Sequence, residues 1–226
     1  MDKGKVFFSI AVFLILFMAL YAYAYDTPRW FPFNAENALD EWKEKIFKGR
    51  VVYAIEVEPK DGYLMAKSDQ TSSGLLYKVK FDVIKNPMMS WQWKVKTFPK
   101  KEMDTEDSAG WIERDDYAAR VYVIFPSWNF LNVKSLEYIW DENLPEDTIL
   151  TSPYFKNIKL VVVESGKNGV DQWIFEERNI YEDYKKAFGR TPPRYVGAIA
   201  IMTDADNSLS KAEAFYKNLR VGYQHE

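Results

Sequence analysis

The chain has 226 residues, 47% of them hydrophobic, which is enough for one domain with a sizeable core plus an N-terminal appendage. Its 30 basic and 33 acidic residues leave a net charge of -3, without the basic stripe that nucleic-acid binding requires. The absence of cysteine excludes disulfides and thiol nucleophiles, and the single histidine, His225, excludes a Ser-His-Asp triad or a multi-histidine metal centre within one chain. Any chemistry therefore rests on carboxylates, amines, hydroxyls, amides and aromatic rings.

The N-terminus carries two lysines followed by an uncharged apolar run over residues 6–25. As a helix this run would span about 30 Å, the thickness of a bilayer core. Residues 22–24 read Ala-Tyr-Ala and fit the small-x-small rule of signal peptidase, whereas the surrounding aromatic residues resemble an interfacial belt. Residues 1–25 are therefore predicted to be a cleaved signal peptide or a retained membrane anchor. In both cases the positive-inside rule places the rest of the chain outside the cytoplasm, in the periplasm or at the cell surface.

The first elements after this run are a linker and a short helix. Residues 26–36 contain two prolines among aromatic residues and are predicted to form the linker. Residues 37–49 are predicted to form a helix that Asn37 caps and Gly49 ends. A second short helix is predicted over residues 181–189, ended by a glycine and followed by two prolines.

Between and beyond these helices the hydrophobic pattern has a period of two. About ten short segments rich in β-branched and aromatic residues are separated by turn-forming stretches. In GLLYKVKFDVI the apolar side chains of Leu75, Tyr77 and Val79 alternate with the charged Lys78 and Lys80, as in a strand with one buried face. Strands in succession without intervening helices indicate antiparallel sheets, so residues 37–226 are predicted to form one all-β sandwich domain.

Several motifs resemble those of one family of prokaryotic envelope proteins, called domain of unknown function 3047. In chain order these motifs are LDEW, KSDQTSSGLLYKV, WQWKV, DDYAARVYVIF, YIW, RNIYEDYKKAFG and IAIMTDADNSLSKAEAFY, between Leu39 and Tyr216. More loosely, an acidic turn that leads into a final strand is similar to the close of galactose-binding-like jelly-roll domains. The resemblance implies a jelly-roll-like sandwich and brings no established activity.

Three polar clusters interrupt the apolar strands. An arginine buried in a strand needs a carboxylate partner, so Arg120 and Arg178 are predicted to pair with Asp115, Asp116, Asp183 or Asp204. A structural ion-pair network at one end of the sandwich is favoured over a ligand site. The candidate polar cluster comprises Asp115, Asp116, Arg120, Arg178, Asp183, Asp204, Asp206 and Asn207.

The acidic turn TDADNS, residues 203–208, is a candidate calcium site. As an EF-hand loop it fails, because Leu209 stands where glycine is needed and Phe215 where the bidentate glutamate is needed. Calcium bound through Asp204 and Asp206 remains an alternative to a plain turn, and the turn is favoured because Asp and Asn side chains bond their own backbone. No other cofactor is expected.

The chain is rich in aromatic residues, with 8 Trp, 15 Tyr and 15 Phe. Most are expected in the core, while Trp128, Phe130, Tyr138 and Trp140 are the candidates for stacking on a sugar or docking a protein. The leading hypothesis is an exported, non-enzymatic module that binds a glycan or an envelope partner through a cleft at one end. Two alternatives stay open: an accessory subunit held by its anchor helix in a membrane complex, and a glycan hydrolase that uses carboxylates among Asp115, Asp116, Asp183 and Asp204.

Overall fold

The computed structural model describes residues 28–58, 61–101 and 115–225, and within them it leaves the side chains of Glu58 and Phe130 undescribed. The predicted signal peptide or anchor lies outside these residues, and no helix in the described part is long and apolar enough to cross a membrane. The strands are β1 (Arg29–Phe31), β2 (Lys43–Lys48), β3 (Val52–Glu58), β4 (Asp61–Asp69), β5 (Ser72–Asp82), β6 (Met88–Thr97), β7 (Arg120–Phe125), β8 (Lys134–Asp141), β9 (Ile149–Thr151), β10 (Ile158–Ser165), β11 (Ile174–Asn179), β12 (Tyr195–Asp204) and β13 (Lys211–Tyr223).

These strands form two sheets that pack face to face, which confirms the predicted β-sandwich. The six-stranded sheet has the order β11-β6-β13-β4-β3, with β1 added beside β13, and the seven-stranded sheet has the order β2-β5-β12-β7-β8-β10-β9. All pairs are antiparallel except β8 and β10, so the purely antiparallel expectation is wrong at this pair. The connection over residues 142–157 is long enough to carry the chain back and start β10 beside the start of β8. The jelly-roll-like connectivity stays a prediction.

The predicted helix over residues 37–49 is wrong. Residues 36–41 form turns, and β2 (Lys43–Lys48) pairs with β5 as the edge strand of the seven-stranded sheet instead. A helix this short is marginally stable in isolation. The segment KEKIFK has the alternating pattern of a strand and forms backbone hydrogen bonds to β5 instead. Part of the predicted linker is likewise sheet, because β1 (Arg29–Phe31) pairs with β13.

The second predicted helix is confirmed as α1 (Ile180–Phe188). The Asn179 side chain caps its start by accepting the Glu182 N–H at 3.1 Å. Gly189 ends it in the left-handed conformation that glycine tolerates, at φ 67°. Tyr184 of α1 packs against Phe125 with ring centroids 4.8 Å apart, so the helix covers one end of the core.

The two sheets differ in what covers their outer faces. The inner faces share one core, which contains Trp91, Trp93, Tyr138 and Trp140. The outer face of the seven-stranded sheet is also buried, by residues that include Tyr117 and Phe155 from the connections before β7 and before β10. Along the strands of the six-stranded sheet, outward-facing side chains alternate with buried core side chains. The outer face that they form remains partly exposed. It is therefore the sheet face that can receive a ligand.

Candidate functional site

Arg120, at the start of β7, is the centre of the first polar cluster. Its guanidinium donates to Glu137 Oε1 at 2.7 Å, to Asp204 Oδ2 at 2.8 Å and to the backbone carbonyl of Asp115. The Tyr122 hydroxyl lies 3.3 Å from the same guanidinium. Because the arginine is 3% exposed and holds carboxylates from two neighbouring strands, it joins β7, β8 and β12 at one end of the sandwich.

The aspartates around this arginine are buried and hydrogen-bonded to the backbone. Asp204 accepts the Tyr117 N–H at 3.0 Å, and Asp116 accepts the N–H groups of Asn207 and Ser208 at 3.2 and 2.6 Å. These bonds fix residues 115–117 against the acidic turn that precedes β13. The predicted pairing of Arg120 with Asp204 is therefore present, in a closed network.

Burial also alters the titration of this cluster. It raises the pKa of Asp115 to about 7, with Arg120 opposing the shift and Glu137 and Asp116 adding to it. It raises the pKa of Asp206 to about 6, helped by the charge of Asp116. Carboxyl groups that hold protons near neutral pH are typical of a crowded acidic site with little water.

Carboxylate oxygens of Asp116, Asp204 and Asp206 lie within 4.8 Å of one another, a spacing that a cation could bridge. However, the Asp116 oxygens accept two backbone N–H groups and Asp204 carries the Arg120 guanidinium. The positive charge that a calcium ion would supply already comes from the arginine. Calcium binding at Asp204 and Asp206 stays a prediction.

The second predicted arginine, Arg178 on β11, is paired with α1. Its Nε and Nη2 donate to the two oxygens of Asp183 at 2.9 and 2.8 Å, and Tyr138 donates its hydroxyl to Asp183 at 3.0 Å. Asp147 lies 3.4 Å away at the surface. This pair fastens the helix to both sheets, and it lies away from the Arg120 cluster because β11 ends at the opposite end of the sandwich from the start of β7. The eight predicted polar residues thus form two separate groups.

The prediction that Tyr138 and Trp140 are available to contact a ligand is wrong. Tyr138 and Trp140 are fully buried between the sheets, since β8 lies near the middle of the seven-stranded sheet and turns these side chains inward. Trp128 is 82% exposed in the loop after β7. The side chain of Phe130 lies outside the described part of the structure.

A different set of aromatic side chains lies on the outer face of the six-stranded sheet. Phe215 on β13 is in register with Lys94 on β6 and with Met65 on β4. The Tyr63 ring lies 5.5 Å from the Phe215 ring and 5.8 Å from that of Trp173, in the connection before β11. Tyr63 and Trp173 are half-buried, whereas Phe215 is buried. We call these three rings the aromatic platform.

Charged groups surround the aromatic platform. The Lys94 ammonium lies 4.7 Å from the Phe215 ring centroid and 5.4 Å from that of Trp173, and Lys217 lies 4.4 Å from Trp173. Glu213 forms ion pairs with Lys67 at 3.2 Å and with Lys96 at 3.4 Å. Of these charged groups, Lys67, Lys94, Lys96 and Glu213 border an open depression of about 380 Å³. Its lining residues are Glu56, Tyr63, Met65, Lys67, Lys94, Lys96, Asp171, Glu213 and Phe215.

Neighbouring contacts hold the aromatic platform in place. The Asp171 N–H donates to the Val95 carbonyl at 2.8 Å, which fixes the connection that carries Trp173 against β6. Lys217 forms an ion pair with Asp61, and its hydrogen bond holds the pKa of Asp61 below the ordinary value. The rings are therefore positioned before any ligand arrives, which lowers the entropic cost of binding.

Sequence patterns predicted neither the aromatic platform nor Glu137. The platform joins residues from β4, β6, β13 and the β10–β11 connection, which are distant along the chain. Glu137 did leave a signal in the sequence, because a charged residue within the apolar segment LEYIW needs a partner if it is buried. Tyr122, two residues after Arg120, is directly opposite Glu137 on the neighbouring strand.

Solved structures match this chain only at low identity and with TM-scores below 0.5 in the following three cases. The xyloglucanase domain of NopAA, a type three effector from Sinorhizobium fredii, is 12% identical with a TM-score of 0.44, and the match covers 79% of this chain and 89% of that one. The family 30 carbohydrate-binding module of a Clostridium thermocellum cellulosomal cellulase is 6% identical with a TM-score of 0.44, over 82% and 93%. The Endo-D glycoside hydrolase domain of Streptococcus pneumoniae R6 is 10% identical with a TM-score of 0.40, and the match covers 82% of this chain and 22% of that domain.

The sequence comparisons identify the family. No curated protein matches the sequence. The profile of one protein family matches residues 40–220, which is most of the chain and includes β2 to β12 and nearly all of β13. The chain therefore belongs to the family described as protein of unknown function DUF3047.

Proposed function

We propose that this protein is a glycan-binding module that works outside the cytoplasm and holds a saccharide against the outer face of its six-stranded sheet. The observation that carries the proposal is the aromatic platform with the charged groups around it. A pyranose ring has apolar C–H faces and a rim of hydroxyl groups. A site that binds it therefore needs aromatic surface bordered by hydrogen-bond donors and acceptors.

The depression beside the platform meets these needs. Tyr63 lines the depression and is half-buried, the half-buried Trp173 lies 5.8 Å from it, and Lys94 and Glu213 border the depression with a donor and an acceptor. Its volume of about 380 Å³ lies within the range of roughly 300–1,000 Å³ that small-ligand sites occupy. Because the depression is open to solvent, it suits the side of a polymer chain better than an enclosed small molecule.

The hydrolase alternative placed its chemistry on four carboxylates at the two ends of the sandwich. Asp115, Asp116, Asp183 and Asp204 are at most 5% exposed. Each also takes part in an internal hydrogen-bond or ion-pair contact, so a polysaccharide would not reach them in this conformation. The binding module is therefore the function that the geometry supports better, and the accessory-subunit hypothesis stays a prediction.

Replacing Trp173 by alanine is expected to weaken saccharide binding about fivefold to thirtyfold, because truncating an aromatic anchor at a binding surface costs about 1–2 kcal/mol. Tyr63→Ala should act in the same direction. The measurement is isothermal titration with an oligosaccharide that the full-length protein retains in a glycan array or from envelope extracts.

The matched control is Trp128→Ala, which removes an exposed tryptophan far from the platform and should leave the affinity unchanged. Equal melting temperatures of the variants would show that the fold is intact. Wild-type affinity in Trp173→Ala, or release of product from a polysaccharide without retention, would overturn the proposal.

A further inference from the structure

The topology gathers one set of loops and chain ends at a single end of the sandwich, opposite the Arg120 cluster. Phe125, the last residue of β7, is in register with Lys134, the first of β8, and β10 starts beside β8. Tyr195, which starts β12, pairs with Asp82, the last residue of β5. We call this the basic end, for the side chains that it carries: Lys85, Lys134, Lys156, Lys186, Arg190 and Arg194.

The basic end presents apolar side chains on a braced loop. Trp128 is 82% exposed and Leu131 is 55% exposed in the β7–β8 loop. The Leu131 N–H donates to Asn129 Oδ1 at 3.0 Å, and Asn157 donates to the Leu131 carbonyl at 2.6 Å. Lys134 in turn donates to Asn157 at 3.1 Å, which ties the loop to the cationic group beside it. These apolar side chains are therefore held at the surface in a fixed arrangement.

The cations at this end repel one another. Burial and the like charges of Arg190, Lys156 and Lys159 lower the pKa of Lys134. Among the described residues, no carboxylate forms an ion pair with Lys134, Lys156 or Arg190. Two carboxylates near this end already have cationic partners, since Asp82 binds Arg194 at 2.8 Å and Glu182 binds Lys185 at 3.2 Å. The uncompensated positive charge calls for an anionic partner.

The N-terminal part of the chain joins the sandwich at this same end. Arg29, which starts β1, is in register with Val221 near the end of β13, and Tyr223 at that end pairs with Met88, the first residue of β6. The apolar run over residues 6–25 thus lies only a few residues before the basic end. The opposite end carries the Arg120 cluster with Asp116, Asp204 and Asp206, and we call it the acidic end.

We propose that the basic end is a membrane-binding surface, on which Trp128 and Leu131 enter the interface of an anionic bilayer while Lys134, Lys156 and Arg190 bind lipid phosphates. Tryptophan prefers the membrane interface, and basic side chains near an anionic leaflet add attraction that falls with ionic strength. The strands run between the basic end and the acidic end. With the basic end on the membrane, the outer face of the six-stranded sheet is therefore roughly perpendicular to the membrane surface. The inference does not depend on the saccharide site.

A single fluorophore tests this surface cleanly, because the chain has no cysteine of its own. An environment-sensitive dye is attached at Ser127→Cys, beside Trp128, and in a second protein at Lys100→Cys, near the acidic end. Each full-length protein is reconstituted into vesicles of phosphatidylcholine alone or mixed with phosphatidylglycerol, and quenching by lipid-borne nitroxide is measured. We expect quenching of the dye at residue 127 in the anionic vesicles, less in neutral vesicles, and none of the dye at residue 100.

Charge variants then test the mechanism. Removing each of Lys134, Lys156 and Arg190 by substitution with glutamine should lower the ratio of inserted to exposed dye about fivefold per residue, and high salt should act in the same direction. Trp173→Ala should leave insertion unchanged, which separates this surface from the saccharide site. A dye at residue 127 that stays water-exposed in anionic vesicles, or that inserts equally in neutral ones, would contradict the proposal.

Discussion

Replacing Arg120 by methionine is expected to lower the free energy of unfolding by about 3–5 kcal/mol, because it leaves buried carboxylates without their counter-ion. Glu137 and Asp204 are each about 2% exposed and bind this guanidinium directly. A loss of this size is a large part of the stability of an ordinary domain, about 5–15 kcal/mol. Urea denaturation followed by circular dichroism measures it.

The cause of this loss can be tested by pH. If the penalty comes from unpaired negative charge, protonating Glu137 and Asp204 should shrink the deficit of Arg120→Met as the pH falls. The control is Arg50→Met, since Arg50 forms an exposed ion pair with Glu44 and such pairs contribute little. A deficit in Arg120→Met that equals that of the control would show that the buried network does not hold this end together.

Replacing Glu176 by glutamine is expected to stabilise the protein at alkaline pH. Glu176 faces the interior from β11, and its Oε1 has no hydrogen-bond partner in the described part of the chain. Burial raises its pKa from the ordinary value of 4.5 to about 8, and the charge of Glu164 adds to the effect. A carboxyl group with a raised folded pKa contributes stability below its unfolded pKa and loses it as the pH rises through the folded value.

The wild-type protein should therefore lose stability between about pH 4.5 and pH 8 through this residue, by an amount on the order of 5 kcal/mol. Glu176→Gln should match the wild type near the lower limit and exceed it near the upper one. Glu177→Gln, on the exposed side of the same strand, is the control and should follow the wild-type curve. Parallel pH curves for Glu176→Gln and wild type would contradict the raised pKa.

Much of this fold was predictable from local patterns. The period-two alternation of β5 and the capping residues of α1 each act within a few neighbouring positions, and both predictions hold. The helix predicted over residues 37–49 fails because pairing with β5, more than 20 residues further on, overrides a weak local preference. The parallel pairing of β8 with β10 depends on how a 16-residue connection returns, which no local pattern specifies.

The site was predictable only where charge is costly to bury. Arg120 and Arg178 required carboxylate partners wherever the chain placed them, and Asp204 and Asp183 supply these. Burial of aromatic side chains carries no such requirement, so Tyr138 and Tyr63 look alike in sequence. The position of β8 near the middle of one sheet buries Tyr138, and the open outer face of the other sheet leaves Tyr63 half-exposed.

The structure thus separates the tasks of the chain by location. Buried ion pairs stabilise both ends of the sandwich, and the outer face of the seven-stranded sheet is filled by connecting segments. The outer face of the six-stranded sheet keeps its rings and charges near solvent. Binding is expected there, and the buried carboxylates are expected to act on stability.

The most direct test of this account is the nuclear magnetic resonance spectrum of the indole N–H groups of the eight tryptophans during titration with a retained oligosaccharide. The saccharide site predicts that the signal of Trp173 shifts with ligand concentration, while that of Trp128 stays in place. Substitution with alanine assigns both signals. A bound ligand that moves Trp128 and leaves Trp173 unchanged would contradict binding on the six-stranded sheet.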